Sequence, residues 1–295
     1  MRIVVAGIGG VGGYIGAHLA RTQTDVTFLA RGSHAETIRQ EGLNIQEDTG
    51  SFSVKPALVT TAEALEGEID LLLLCVKSYH IESLIKTLTK NITASTIIIP
   101  FSNGVEHKAN IERLIDAKVL FGAVYILAHK ERDGLIVKKG KVFAALFGNQ
   151  NYPQETTLVS ELFTRANLRH KTPQNIEEGI WKKYLFISTF GALTSYFDTT
   201  MREVYTLHKN WAETLLNEVA DIAEAKGLNL REEVPKALEV ASSLPKSASS
   251  SMHLDFQNGN QTELETLCGY IVKEGKRLRV PTPMMAKVYG VLKQK

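Results

Sequence analysis

Residues 2–21 read RIVVAGIGGVGGYIGAHLAR, and the folding of this stretch sets the architecture of the first half of the chain. RIVVA (2–6) is a short apolar run that reads as a buried strand, and VGGYIGAHLAR (11–21) carries helical spacing. Between them stands Gly7-Ile8-Gly9-Gly10-Val11-Gly12, the spacing G-x-G-x-x-G. The spacing alone is weak, but a strand before it and a helix after it are the context that a dinucleotide-binding turn requires. There Gly7 permits the tight turn, Gly9 lets a pyrophosphate approach the backbone, and Gly12 allows the helix to pack closely on the strand. The helix N-terminus adds free N–H groups and the positive end of its dipole. The competing reading is a glycine-rich turn with no ligand.

The rest of the first half repeats this alternation. VTFLA (26–30), DLLLLCV (70–76), TIIIPF (96–101) and VLFGAV (119–124) are near-continuous apolar runs, with helical stretches near 79–90 and 105–115. Such strands indicate a parallel sheet covered on both faces. Ser33 reads as the N-cap of a short helix that Gly42 closes. LNIQEDTGSFSV (43–54) reads as a hairpin turning at Asp48–Gly50, and LIVKKGKVFAALFG (135–148) as a second hairpin that ends the domain. One more helix and a short strand fill 155–170, and beyond that the periodicity is helical. The expected fold is a doubly wound α/β domain over residues 1–168, then an all-α domain over 169–295. SSLPKSASSS (242–251) resembles a flexible linker by composition.

At 295 residues the chain suits two domains of roughly 150 residues each. Its 34 basic and 32 acidic residues are interspersed and leave a net charge of +2, which argues against a dedicated nucleic-acid or membrane surface. Cys75 and Cys268 lie far apart with no CxxC, against a disulfide framework or zinc site. The histidines form no ligand-spaced cluster, so no metal is expected. No Lys, Arg, Asp or Glu occurs from Ile3 to Ala20, yet six glycines interrupt that stretch and no A-x-A site follows. A cytoplasmic protein without signal peptide or membrane span is expected.

Four further positions carry candidate chemistry. The second strand ends in Leu29-Ala30-Arg31-Gly32, where an NAD enzyme would place a carboxylate on the ribose 2′-OH. Asp25 precedes that strand and lies at its wrong end. A cation at Arg31 favours a 2′-phosphate, hence NADP(H); a solvent-exposed arginine is the alternative. Lys77 follows Cys75-Val76 at the carboxyl end of a predicted strand, the edge that faces ligand in a doubly wound sheet. It suits a phosphate, the nicotinamide side, or plain solvent. Asn103, in Ser102-Asn103-Gly104, follows TIIIPF at the same edge and suits hydrogen bonds to nicotinamide and substrate, or an ordinary Asn-Gly turn. Finally, IWKKYLFISTFGALTS (180–195) has the look of a buried helix but opens with Lys182 and Lys183.

Taken in order, GIGGVG, LARG, CVKS, SNGVE, IWKKYL, SSMHLDFQNGNQTELE and RVPTP resemble the ketopantoate reductase (2-dehydropantoate 2-reductase) family over nearly the whole chain. The resemblance implies a Rossmann-type domain, an all-helical second domain, and a cleft between them for NADPH and a small 2-oxo acid. The implied reaction is reduction of 2-dehydropantoate to pantoate, in pantothenate biosynthesis. The family's W-x-K pattern selects Lys183, not Lys182, as general acid. The serine of S-S-M maps to Ser251 and the glutamate of T-E to Glu263, both linked to substrate. Arg31 and Lys77 match positions that contact NADPH, and Asn103 matches the asparagine near substrate and nicotinamide. A homodimer through the helical half is also compatible. The chemistry agrees independently. Hydride delivery to a ketone leaves a developing alkoxide, and a positioned ammonium contributes ~10²–10⁴-fold by proton transfer. A carboxylate such as Glu263 would keep Lys183 charged and oriented.

The chain departs from the family at one place. The family carries two asparagines, four and eight residues beyond the lysine, on one helix face. Here those positions are Ile187 and Gly191, while Thr194 returns to about the same face. Losing hydrogen bonds to a buried substrate group costs ~1–3 kcal/mol each. The expectation is therefore a reductase whose substrate is 2-dehydropantoate or another 2-oxo acid, one lacking the 4-hydroxyl or bearing a more apolar tail. A non-catalytic NADP(H)-binding sensor is the alternative from another class.

Overall fold

The computed structural model describes residues 1–23 and 25–295, in two compact units. One comprises Met1–Ser102 and Glu106–Ile176; the other comprises Asn103–Val105 and Glu177–Lys295. In the first unit the opening stretch forms β1 (Ile3–Ala6) and α1 (Gly10–Ala20), followed by β2 (Val26–Leu29) and α2 (Gly32–Glu41). A hairpin of β3 (Leu43–Glu47) and β4 (Gly50–Val54) leads to β5 (Leu58–Thr60), β6 (Leu71–Leu74), α3 (Ile81–Leu88), β7 (Ile97–Pro100), α4 (His107–Glu112) and β8 (Lys118–Val119). Six of these strands make a parallel sheet in the order β5-β2-β1-β6-β7-β8. Period-two alternation divides its side chains: Ile3, Val5, Phe28 and Leu73 join one core, whereas Val4, Ala6, Leu72 and Leu74 join another with Ile81, Ile85 and Leu88 of α3. Both faces are covered, as the unbroken apolar strands require. The chain moves outward in one direction through β2 and in the other through β6, so a switch point opens at the carboxyl ends of β1 and β6.

A second sheet completes this unit. β9 (Phe121–Arg132) and β10 (Leu135–Gly148) pair antiparallel, and the opposite edge of β10 pairs parallel with β3 and with β11 (His170–Lys171). Residues 135–148 are therefore one long strand and not a hairpin. The turn falls earlier, at Asp133–Gly134, and Lys139-Gly140 forms only an irregularity between Lys138 and Phe143, with Gly140 at φ +69°. VLFGAV likewise divides, because Lys118–Val119 ends the first sheet and Phe121 begins the second. Ser33 is not the N-cap of α2; Arg31 occupies that place in extended conformation, and Gly42 closes the helix at φ +89°. α5 (Pro153–Arg165) packs Val159, Leu162 and Phe163 into the first core. Because β11 pairs with Ala145–Leu146, the unit runs to Ile176 and not to residue 168.

The second unit is helical: α6 (Ile176–Phe197), α7 (Met201–Leu207), α8 (Lys209–Ala225), α9 (Glu233–Ser243), α10 (Ser251–Gln257), α11 (Tyr270–Leu278) and α12 (Pro283–Leu292). Trp181, Tyr184, Leu185 and Phe190 of α6 pack with Leu215, Leu216, Val219 and Ile222 of α8, and with Ile271, Met285 and Val288. α6 buries nearly all of residues 188–195, which explains its near-continuous apolar character, whereas α8 is amphipathic and buries one face. The serine-rich stretch 242–251 is ordered by local bonds. Ser242 and Ser243 finish α9, the Ala248 carbonyl accepts the Met201 N–H, and Ser250 caps α10 by accepting the His253 N–H at 3.1 Å. Among the described residues no helix is long and apolar enough to cross a membrane.

Candidate active site

In the first unit the glycine loop divides its roles by geometry. Gly7 sits at φ +91°, and a Cβ there would meet the Val76 nitrogen at 2.8 Å. A Cβ on Gly12 would lie 2.1 Å from the Gly7 carbonyl oxygen, so only glycine lets α1 start this close to β1. A Cβ on Gly10 would stand 2.2 Å from the Ala128 carbonyl oxygen of β9. Gly9 differs, since nothing lies within 4 Å of its Cβ position. The loop is packed from three sides and open on the fourth, at the N-cap residue of a helix that no side chain caps among the described residues. Ile8 is buried and Val11 half-buried, so these two residues anchor the loop. Among the described residues no side chain stands over Gly9 or caps the start of α1, an arrangement that leaves the first helix amides available to an anionic ligand.

Cys75-Val76-Lys77 packs directly beneath this loop: the Cys75 Cβ is 2.8 Å from the Gly12 Cβ position. Lys77 is half-buried at the head of the 3-10 turn Ser78–His80, and its carbonyl accepts the His80 N–H. Arg31 projects from the end of β2, where its Nη2 donates to Glu63 Oε1 at 2.7 Å and both side chains are exposed. This partner lies 32 residues away in sequence. Parallel pairing of β2 with β5 brings it near, because Leu29 stands opposite Thr60 and the Ala30 N–H donates to the Thr60 carbonyl. The first unit thus gathers the loop, Lys77 and the Arg31–Glu63 pair at the carboxyl edge of its parallel sheet.

The second unit gathers Lys183, Asn103 and Glu263. Lys183 Nζ donates to Asn103 Oδ1 at 2.8 Å. Burial of the ammonium lowers its pKa to about 8, although the negative charge of buried Glu263 pulls in the opposite direction. Adjacent Lys182 points elsewhere and is ion-paired with Glu178 at 2.8 Å and Glu233 at 3.4 Å. Its pKa is raised, chiefly by the hydrogen bond to Glu178. Neighbours on a helix lie ~100° apart, so two lysines side by side in sequence meet opposite environments. Among the described residues no group of three or more His, Cys, Asp or Glu is placed to hold a metal ion.

Other expected contacts fall out differently. Ser251 is the first residue of α10 and is exposed. The two serines before it are anchors: Ser250 is buried and pairs with Thr194 Oγ1 at 2.7 Å, while Ser249 Oγ meets His253 Nδ1 at 2.6 Å. His253 Nε2 in turn meets Asp198 Oδ1 at 2.7 Å. Thr194 is fully buried, and its hydroxyl also donates to the Phe190 carbonyl, so it does not stand in for a missing asparagine. A Cβ on Gly191 would meet Leu267 Cδ1 at 3.4 Å and Met252 Cε at 3.6 Å. Gly191 therefore faces packed apolar side chains, whereas Ile187 is half-buried. The face shared by 183 and 187 ends before 191. Two residues that the sequence did not single out are Glu63 and Tyr184. The Tyr184 hydroxyl donates to the backbone carbonyls of Thr266 and Leu267 at 2.8 and 3.0 Å.

Comparison with known proteins covers both units. Residues 3–149 match the family model for ketopantoate reductase PanE/ApbA, and residues 175–295 match the model for its C-terminal domain. An uncharacterized oxidoreductase, YkpB, of Bacillus subtilis (strain 168) is 31% identical over 99% of this chain and 98% of its own. The crystal structure of 2-dehydropantoate 2-reductase from Porphyromonas gingivalis W83 superposes with a TM-score of 0.85 at 33% identity, covering 99% of each chain. A D-mandelate dehydrogenase, solved in a ternary complex with NADH and anilino(oxo)acetate, shares the fold with a TM-score of 0.90 at 21% identity over 100% of this chain and 98% of its own.

Proposed function

The chain belongs to the ketopantoate reductase family of oxidoreductases, and from that premise we propose that it reduces a small 2-oxo acid to the 2-hydroxy acid with NADPH. The first candidate pair is 2-dehydropantoate and pantoate, which places the reaction in pantothenate biosynthesis. The observation that carries the reading is the Lys183 ammonium, bonded to Asn103 at 2.8 Å and held near neutrality beside a buried carboxylate. A general acid works best when its pKa lies near the operating pH, because it then both holds its proton and releases it readily. In this reading bound NADPH supplies the hydride. The open face at Gly9 and the amides of Gly10, Val11 and Gly12 would hold its pyrophosphate, and Arg31 and Lys77 its other anionic groups. Lys183 gives a proton to the oxygen that becomes the hydroxyl, completing the gain of one hydride and one proton by the ketone. Asn103 orients the ammonium, Glu263 keeps it charged, and Ser251 contacts the substrate.

Two-electron chemistry of this kind does not fix the cofactor, since the same fold carries a dehydrogenase that binds NADH. What favours NADPH is a cation, Arg31, where a ribose-binding carboxylate would otherwise stand. The substrate has a second reading, favoured by Ile187, which is half-buried one helical turn beyond Lys183. With an apolar branch and no amide at that position, a 2-oxo acid with an apolar tail gains more than one with a 4-hydroxyl. NADPH consumption across a panel of 2-oxo acids, polar and apolar, tests both readings. Turnover of 2-dehydropantoate above the rest supports the first, and turnover of branched or aromatic 2-oxo acids supports the second. Tight NADPH binding without turnover of any member would refute the enzyme reading and favour a sensor.

A further inference from the structure

Between Glu263 and α11 the backbone does not follow an α-helix. Residues Glu265–Gly269 form a single π turn, in which the Tyr270 N–H bonds the Glu265 carbonyl five residues back. A π turn holds one residue more than the helix around it and leaves the adjoining hydrogen-bond ladder imperfect. It persists where another group engages that ladder. Here the group is the Tyr184 hydroxyl, which reaches the Thr266 and Leu267 carbonyls from α6. Tyr184 is fully buried, with its ring edge-on to Trp181 and Tyr270 at centroid distances of 5.6 and 6.0 Å. Its direction is therefore fixed. Lys183 is the preceding residue on α6, and Glu263 lies just upstream of the π turn, its carbonyl accepting the Leu267 N–H at 2.9 Å.

One extra residue in a helix rotates everything upstream by about 100° and shifts it by about 1.5 Å along the axis. Were the π turn to relax to α geometry, Glu263 would turn off its present bearing. We propose that Tyr184 is a positioning residue, whose hydroxyl holds the π turn over Glu265–Gly269 and so keeps the Glu263 carboxylate beside the Lys183 ammonium. This rests on the reading of Lys183 and Glu263 as acid and partner, and it adds a reason why their separation is fixed. Residues 183 and 184 then divide one task, with the first presenting the proton and the second tying its helix to the strand of chain that carries the counter-charge.

The test reads Lys183 without requiring turnover. Competitive labelling of amines with acetic anhydride, resolved by mass spectrometry, gives the pH midpoint of Lys183 in the full chain. Glu263 raises this midpoint, so its displacement increases the neutral amine and speeds labelling. Tyr184→Phe, which keeps the ring and removes the hydroxyl, is expected to raise the Lys183 labelling rate at pH 7 about three- to fivefold. Glu263→Gln should raise it at least as much, and the double variant no further than Glu263→Gln alone. Tyr184→Met removes the same hydroxyl from a side chain that repacks more freely and should speed labelling in the same direction, which serves if Tyr184→Phe does not fold. An unchanged rate in Tyr184→Phe, with Glu263→Gln fast, overturns the positioning role. An unchanged rate in Glu263→Gln instead overturns the pairing of Glu263 with Lys183 and the proposal with it.

Discussion

Glu63 lends itself to a quantitative test of cofactor choice. Its carboxylate holds Arg31 at 2.7 Å in the structure, so a 2′-phosphate bound by Arg31 would share the guanidinium with a second anion. Across a shared guanidinium the two anions stand about 6 Å apart, and a phosphate of about −1.5 to −2 charge is repelled by about 1.2 kcal/mol in water. Screening reduces that to about 0.6 kcal/mol near 0.15 M salt, with a Debye length of ~8 Å, and to about 1 kcal/mol near 0.01 M. Glu63→Gln removes the charge and keeps the size. It should therefore tighten NADPH binding about 2.5-fold at the higher salt and about fivefold at the lower. NADH, with a hydroxyl in place of the phosphate, should gain nothing. Fluorescence titration with both cofactors at two salt concentrations measures this, with Arg31→Asp as the control that erodes the NADPH preference. Refutation would be NADPH affinity unchanged at low salt, a gain that ignores salt, or an equal gain for NADH.

Lys183→Ala should lower kcat by about 10²–10⁴-fold while NADPH still binds, whereas Lys182→Ala should be mild because Lys182 is held by Glu178 and Glu233 on another face. Steady-state kinetics with a cofactor titration decide it, and equal losses in the two variants would remove the assignment. An acid with a pKa of about 8 keeps its proton below that pH and loses it above, so kcat should be level below pH 7 and fall about tenfold per unit well above 8. A pH profile of the reduction that stays flat to the alkaline limit of stability would contradict the role. Gly10→Ala places a methyl where the Ala128 carbonyl stands and should cost about 1–3 kcal/mol of stability. Gly9→Ala points into open space, so it should melt like the parent protein and bind NADPH more weakly; thermal melts and titrations of both variants test the loop.

What the sequence disclosed was local. The glycine spacing, the buried strands and the 43–54 hairpin each rest on residues whose preferences are decided within a few positions. LIVKKGKVFAALFG misled because Lys139-Gly140 has the composition of a turn, while the length of β10 is set by β9, a partner that pairs along nearly all of it. The serine run 242–251 misled in the same way: its composition is that of a linker, but Ser249 and Ser250 find partners at His253 and Thr194 that lie outside the run. Glu63 gave no signal because its nearness to Arg31 is created by strand pairing. Tyr184 gave none because a π turn depends on a hydroxyl arriving from a different helix. Lys183 was legible only through its place in a motif; its 2.8 Å bond to Asn103 joins residues 80 apart in sequence.

That separation limits how the protein can be divided. Asn103–Val105 belongs to the helical unit although it lies in the first half of the chain. A fragment cut at Ile176/Glu177 would carry Lys183 and Glu263 but leave behind Asn103, whose side-chain oxygen accepts the Lys183 bond. An exchange of helical halves between relatives at the same point would pair a resident lysine with a foreign asparagine loop. In such hybrids the two halves inherit a shared constraint, and recombination that keeps each half intact still separates Lys183 from Asn103.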